Sequence, residues 1–141
     1  MINKDIQEDY VSSGIAKLLN QKGFEGEVIK YYLIHEDGFV ELFDKIYEFS
    51  LPEDAWIPAP TLNVACKWIR EKYNIHILPY FDKIQTSDLP YSFVIYIVDE
   101  YAATREITAC FDIDEDNYWG KPEQAIEAGI LYVLGNLNNI I

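Results

Sequence analysis

Positive charge is scarce in this sequence. Its 141 residues include 11 lysines and arginines against 24 aspartates and glutamates, which gives a formal net charge of −13. A chain this acidic repels phosphate backbones at long range, so we expect no binding to nucleic acid. The basic residues are unevenly spread, because residues 61–90 hold 4 of them beside 3 acidic residues, while both flanking segments are strongly acidic.

Long hydrophobic runs are also absent, and cysteines are few. No apolar run approaches the roughly 18–20 residues that are needed to cross a bilayer. The first ten residues, MINKDIQEDY, lack the hydrophobic stretch of a signal peptide. The only two cysteines, Cys66 and Cys110, lie far apart, which is typical of a reducing compartment. We therefore expect a cytoplasmic protein that does not associate with membranes.

The common catalytic motifs are absent. The sequence contains no GxSxG, CxxC or P-loop pattern, and neither of its two histidines, His35 and His76, belongs to a local metal-ligand spacing. Cys66 falls on the apolar face of a predicted helix, where a cysteine usually acts as a small hydrophobic residue. No catalytic residue is predicted, and the sequence favours a non-enzymatic role while leaving a small enzyme open.

Apolar residues are abundant, and their spacing indicates a single folded domain over residues 1–141. They make up 50% of the chain, and aromatic residues make up 15%. The segment VSSGIAKLLNQKGF predicts a helix that is capped by Ser12 or Ser13 and closed by Gly23. VIKYYLIHEDGFVELF predicts a β-hairpin that turns at Asp37-Gly38. Residues 45–49, KIYEF, either continue the second arm or form a third short strand.

The second half of the sequence predicts two further helices around three strands. Thr61 is placed to cap a helix over residues 62–73, and Asn74 to end it. IHI, YSFVIYIVD and REITACFDI predict strands, and a last helix begins near Pro122. The order α-β-β-(β)-α-β-β-β-α predicts an α+β domain with three helices on a mostly antiparallel sheet of about five or six strands.

The segment DIDEDNYWGKPE, residues 112–123, nearly matches an EF-hand calcium loop. Asp112, Asp114, Asp116 and Glu123 stand where that loop has carboxylate ligands, and Tyr118 stands where it uses a backbone carbonyl. Two features depart from the motif, because Asn117 replaces its glycine and a strand precedes the loop where a helix is expected. The alternative is an acidic loop beside a helix N-terminus, where carboxylates are favourable.

A second candidate site is a surface for a protein partner. The helical projection of residues 62–73 directs Cys66 and Trp68 inwards and leaves Asn63, Lys67 and Arg70 on the outer side as a short basic stripe. We expect Trp56 and Trp119, which lie in loops, to belong to the same partner-binding surface, because tryptophan often anchors interfaces. The alternative is that both tryptophans cover the edges of the core.

The segments APTLNVACKWIREKYNIHI, VSSGIAKLLNQKGF and EQAIEAGILYVLGNL resemble a group of small proteins of gut bacteria and of their phages or prophages. Members of that group carry a helix after Ala-Pro-Thr, a Lys-Trp-Leu-Arg-Glu type of sequence, in which Ile69 here replaces the common Leu, and an alanine-rich last helix. The resemblance covers about half of the chain and carries no catalytic residues. It implies a cytoplasmic accessory protein of a phage or mobile element.

Three functions follow as expectations. The first is binding to another protein, for which an acidic surface with aromatic residues suits a basic partner. The second is binding of Ca²⁺ or another divalent metal through residues 112–123. The third is inhibition of a DNA-binding enzyme by an acidic surface that imitates the charge of nucleic acid.

Overall fold

The computed structural model describes residues 8–26, 28–44, 55–82, 89–98, 104–106 and 118–140. The chain divides into two compact units, Met1–Ala65 and Cys66–Ile141. The prediction of one domain over residues 1–141 stays a prediction.

The described residues form four helices and six strands. The helices are α1 (Ser13–Gln21), α2 (Leu62–Tyr73), α3 (Pro122–Gly135) and α4 (Leu137–Ile140). The strands are β1 (Tyr31–Ile34), β2 (Val40–Phe43), β3 (Trp56–Pro58), β4 (Ile75–Phe81), β5 (Tyr91–Val98) and β6 (Thr104–Glu106).

Helix α1 has the two ends that the sequence predicts. The Ser12 hydroxyl accepts a hydrogen bond from the Ile15 amide at 3.3 Å, so Ser12 is the cap and Ser13 is the first helical residue. At the other end Gly23 adopts a φ of 88°, and the amide of Phe24 donates to the Leu19 carbonyl at 3.0 Å. Phe24 is buried, which fixes the end of the helix against the first unit's core.

The sheet of the first unit has the strand order β2-β1-β3, and both pairings are antiparallel. Helix α1 packs against β3, and the Tyr32 hydroxyl donates to the Val11 carbonyl at 2.7 Å. Among the described residues, the core of this unit includes buried apolar residues of α1, of the sheet, of the segments next to them and of the start of α2: Val11, Ile15, Ala16, Leu19, Phe24, Leu33, Trp56, Ile57, Ala59, Leu62 and Ala65.

Helix α2 begins in the first unit and ends in the second. The Thr61 hydroxyl accepts from the Val64 amide at 3.2 Å, which confirms Thr61 as the N-cap. Asn74 has a φ of 57°, the left-handed conformation that stops a helix. Ile75 then enters strand β4 directly, as the sequence predicts.

The second unit consists of a sheet in the order β4-β5-β6, again antiparallel, with α3 packed against β4 and β5. A Cβ added at Gly129 would lie 2.6 Å from Ile77 Cγ2 and 3.2 Å from Phe93 Cγ. Glycine at this position therefore allows the helix to lie close on the sheet.

The α+β class and the antiparallel pairing are confirmed, while the single sheet with three helices is not. The strands described here belong to two three-stranded sheets, and the last helical segment breaks at Asn136, so that α4 is separate from α3. Residues 45–49, for which the sequence allows either a continued second arm or a third short strand, lie outside the described residues. Of the predicted strand REITACFDI, only Arg105 and Glu106 are among the described residues, and both belong to β6.

Candidate functional site

The turn between β1 and β2 is held by several hydrogen bonds. The Gly38 amide donates to the His35 carbonyl at 2.9 Å, and the His35 amide donates to the Phe39 carbonyl at 2.8 Å. These bonds close a loop of three residues, in which Gly38 has a φ of 89° that side-chain-bearing residues rarely adopt. The Asp37 carboxylate also accepts from the Phe39 amide at 3.0 Å.

The strand register decides which side chains share a face at this turn. Leu33 lies opposite Glu41 on β2 and opposite Trp56 on β3. Because successive side chains alternate between the two faces of a strand, His35 and Phe39 lie on the same side as these residues. The turn therefore places an imidazole, a carboxylate and a phenyl ring on one face of the sheet.

His35 and Glu41 form a pair on this face. His35 Nε2 lies 2.8 Å from Glu41 Oε1, and the His35 and Phe39 rings lie 5.6 Å apart. Both members of the pair are only partly exposed. The 2.8 Å contact engages the Glu41 carboxylate with the imidazole.

A cavity of about 550 Å³ opens beside the turn. Its volume lies within the roughly 300–1,000 Å³ that is usual for ligand sites. Among the residues that the structure describes, its lining includes the apolar residues Leu33, Ile34, Phe39 and Ala55 and the polar residues His35, Glu36 and Asp37. We call these seven residues the hairpin surface. Phe39 is 59% exposed, so its ring offers apolar area beside the cavity.

The predicted partner-binding residues of the first unit differ in accessibility. Trp56 is only 8% exposed, and its ring meets that of Phe43 edge-on with centroids 5.6 Å apart. This placement agrees with the alternative that Trp56 covers the core. Asn63 is exposed, and its side-chain amide donates to the Glu8 carboxylate at 3.3 Å.

The predicted partner-binding residues of the second unit are Lys67, Arg70 and Trp119. Lys67 is exposed and Arg70 is half-buried. Trp119 is also half-buried, and its backbone exchanges two hydrogen bonds with Tyr91, at 2.7 and 3.0 Å. Its ring lies 5.8 Å from that of Phe93, so Trp119 is tied to strand β5 through both backbone and side chain.

Asp112, Asp114 and Asp116 of the predicted calcium loop lie outside the described residues, whereas Tyr118 and Glu123 are described. Glu123 is exposed in the first turn of α3. Hydrogen bonding to Tyr80, followed by burial and by the nearby Asp82, raises the pKa of the Tyr118 hydroxyl. Within the part of the chain that the structure describes, no three His, Cys, Asp or Glu side chains converge as a metal site.

Cys66 is buried at 8% exposure. Burial raises the pKa of its thiol to about 11, although the positive charge of Arg70 acts in the opposite direction. Because the thiolate is the reactive form of cysteine, this environment suits packing and opposes nucleophilic chemistry. The interpretation of Cys66 as a small hydrophobic residue agrees with its place in the second unit.

Comparison with known proteins identifies no relative, since the chain matches no family model, no curated protein and no solved structure. None of the described helices is both long enough and apolar enough to cross a membrane. The candidate site therefore stands on the chemistry of this chain's own residues.

The hairpin surface is the feature that the sequence patterns did not single out. The sequence contains no local pattern that pairs His35 with Glu41. A usable signal was the spacing, because a three-residue loop that closes at His35 and Phe39 sets Leu33 opposite Glu41. The Asp-Gly pair alone does not determine this loop length, because the length depends on which hydrogen bonds close the turn.

Proposed function

We propose that this protein acts without catalysis of its own, by binding another protein through the hairpin surface. The observation that carries the proposal is the exposed Phe39 ring beside a cavity with apolar walls and two carboxylates. Large aromatic residues that remain exposed next to a concave surface are typical anchors of interfaces.

The charge of the chain supports a basic partner. With a net charge of −13, the protein attracts cationic surfaces and accelerates their association. Glu36 and Asp37 extend this negative charge to the edge of the cavity. The exposed stripe residues Asn63 and Lys67 provide a separate, weaker candidate, since neither offers apolar area of the kind that Phe39 does.

The resemblance to small proteins of gut bacteria and their phages or prophages supports an accessory role in the cytoplasm. In that setting, an acidic protein that binds a basic partner is able to inhibit a DNA-binding enzyme by imitating the charge of nucleic acid. This inhibitory form of the proposal predicts competition with DNA for the partner. If DNA does not reduce partner binding, the inhibitory form of the proposal is wrong, while the proposal that the protein binds a partner is unaffected.

A selection experiment tests the binding proposal. The full chain is used to select from a yeast-displayed library of random dodecapeptides, with the bare support as the control. We expect the retained peptides to be rich in Lys or Arg next to large apolar residues, because these groups match the charge and the walls of the hairpin surface. Retention no greater than on the bare support, or of acidic peptides, would contradict the proposal.

Binding of Ca²⁺ is the second proposed function, and it is supported by the spacing of the carboxylates in residues 112–123. Calorimetry with Ca²⁺ should show heat for the wild type and none for Asp114→Asn/Asp116→Asn. Asp9→Asn/Glu25→Gln removes the same charge from two exposed positions of the first unit and should retain the heat. A wild-type protein that gives no heat would eliminate the metal proposal.

A further inference from the structure

We propose that the cavity of the hairpin surface is a specificity pocket for one arginine or lysine side chain of the partner, a proposal that rests on the proposed function. The cavity combines two kinds of lining that such a side chain needs. Leu33, Ile34 and Ala55 offer apolar contact for the aliphatic stem, while Glu36 and Asp37 offer carboxylates for the cationic head.

The carboxylates of the cavity remain available for an incoming cation. Glu41 is engaged by His35 at 2.8 Å, and Lys30 pairs with Asp44 at 3.5 Å. Over the described residues, neither Glu36 nor Asp37 forms an ion pair with a lysine, arginine or histidine. Asp37 Oδ1 accepts the Phe39 amide, which holds this carboxylate in a fixed place at the turn.

Phe39 adds a second way to recognise a positive charge. Its exposed ring lines the same cavity, and the face of an aromatic ring attracts a guanidinium or ammonium group within about 6 Å. Two carboxylates and a ring face, with apolar walls between them, suit an organic cation. Among the described residues the cavity offers no third carboxylate, whereas a metal ion needs several oxygen ligands that converge on one point.

The direct test is an NMR titration of the ¹⁵N-labelled full chain with N-acetyl-arginine N-methylamide. The matched uncharged probe is the citrulline derivative, which has nearly the same shape. We expect saturable shifts in the amide signals of Gly38, Phe39 and Ala55 with the arginine probe. The citrulline probe should bind at least about tenfold more weakly, since it lacks the charge-assisted hydrogen bonds.

Two variants separate the cavity from the general acidity of the chain. Glu36→Gln/Asp37→Asn removes both cavity charges and keeps an oxygen acceptor for the Phe39 amide, so it should fold and lose the shifts. Asp9→Asn/Glu25→Gln removes two charges from exposed residues that do not line the cavity, and it should keep them. Equal affinities for arginine and citrulline, or equal losses in the two variants, would overturn the pocket.

Failure of the pocket is distinguishable from failure of the proposed function. If the selected peptides bind wild type and Glu36→Gln/Asp37→Asn equally well, but lose affinity when Phe39 is changed, the hairpin surface binds a partner and the basic pocket is wrong. If the library yields no specific peptide, the proposed function fails, and the pocket loses the protein partner on which it rests.

Discussion

Gly129 is the residue whose replacement tests the packing of the second unit most sharply. A methyl group there would overlap Ile77, which is buried and β-branched and therefore has little freedom to move. Overpacking of this kind costs about 1–3 kcal/mol, against a gain of about 1 kcal/mol in helix propensity. We expect Gly129→Ala to lower the free energy of unfolding by about 1 kcal/mol in urea denaturation.

Gly135 provides the matched control on the same helix. A Cβ added there meets nothing within 4 Å, and the residue is exposed. Gly135→Ala should leave the free energy of unfolding unchanged or raise it by up to about 1 kcal/mol. Equal stabilities for the two variants would show that α3 does not approach β4 and β5 as closely as described.

The reactivity of the Cys66 thiol tests whether this side chain is buried. With a pKa of about 11 against an ordinary value of 9.0, its thiolate fraction at pH 8 falls by about a factor of 100. We expect iodoacetamide to alkylate Cys66 at least about 100-fold more slowly in the native protein than in urea, as measured by peptide mass spectrometry. Equal rates under both conditions would contradict the buried position.

The raised pKa of Cys66 also has a consequence for stability. The folded state holds the thiol proton more tightly than the unfolded state does, so the associated stabilisation is fully present below pH 9. It is lost as the pH rises from about 9 towards 11. The difference in urea midpoint between wild type and Cys66→Ala should therefore shrink over this interval, whereas a constant difference would contradict the shift.

At the scale of elements, the junction between α2 and β4 depends on Asn74. Its φ of 57° suits glycine better than asparagine, and asparagine better than alanine. Its amide and carbonyl bond to Arg70 and Val98, at 2.9 and 3.0 Å, so the turn is fixed by its backbone. We expect Asn74→Gly to exceed Asn74→Ala in free energy of unfolding by about 1–2 kcal/mol. Variants of equal stability would contradict this conformation.

The ends of elements are what the sequence predicts best. Ser12, Thr61 and Asn74 act as predicted because capping is a local hydrogen bond or a local backbone angle, and a few neighbouring residues determine it. The burial of Cys66 also follows from helical spacing.

The pairing of strands is harder to predict from the sequence, because it depends on contacts between distant segments. The pattern predicts about five or six strands in one sheet and does not include β3, which is only three residues long and joins β1 in one sheet while β4, β5 and β6 form another. The cavity at the hairpin has the same origin, since it includes Ala55 and residues of the turn that lie about 20 positions earlier.

At the scale of the whole molecule, negative charge is the dominant property. A net charge of −13 disfavours nucleic acid and favours cationic partners, but it does not specify where a partner binds. The location that we propose is the turn at which Phe39 and the carboxylates Glu36 and Asp37 occur together. In this proposal, the net charge attracts the partner at a distance, and the exposed ring of Phe39 makes the contact.

The most direct test of partner binding at this location is the affinity of one selected basic peptide for three proteins, measured by fluorescence polarisation. Phe39→Ser removes the exposed ring of the hairpin surface, and Leu131→Ser removes an apolar side chain of the second unit that is 51% exposed. We predict that Phe39→Ser weakens binding at least about tenfold, while Leu131→Ser matches wild type. Equal affinity of the peptide for wild type and Phe39→Ser would contradict binding through the hairpin surface.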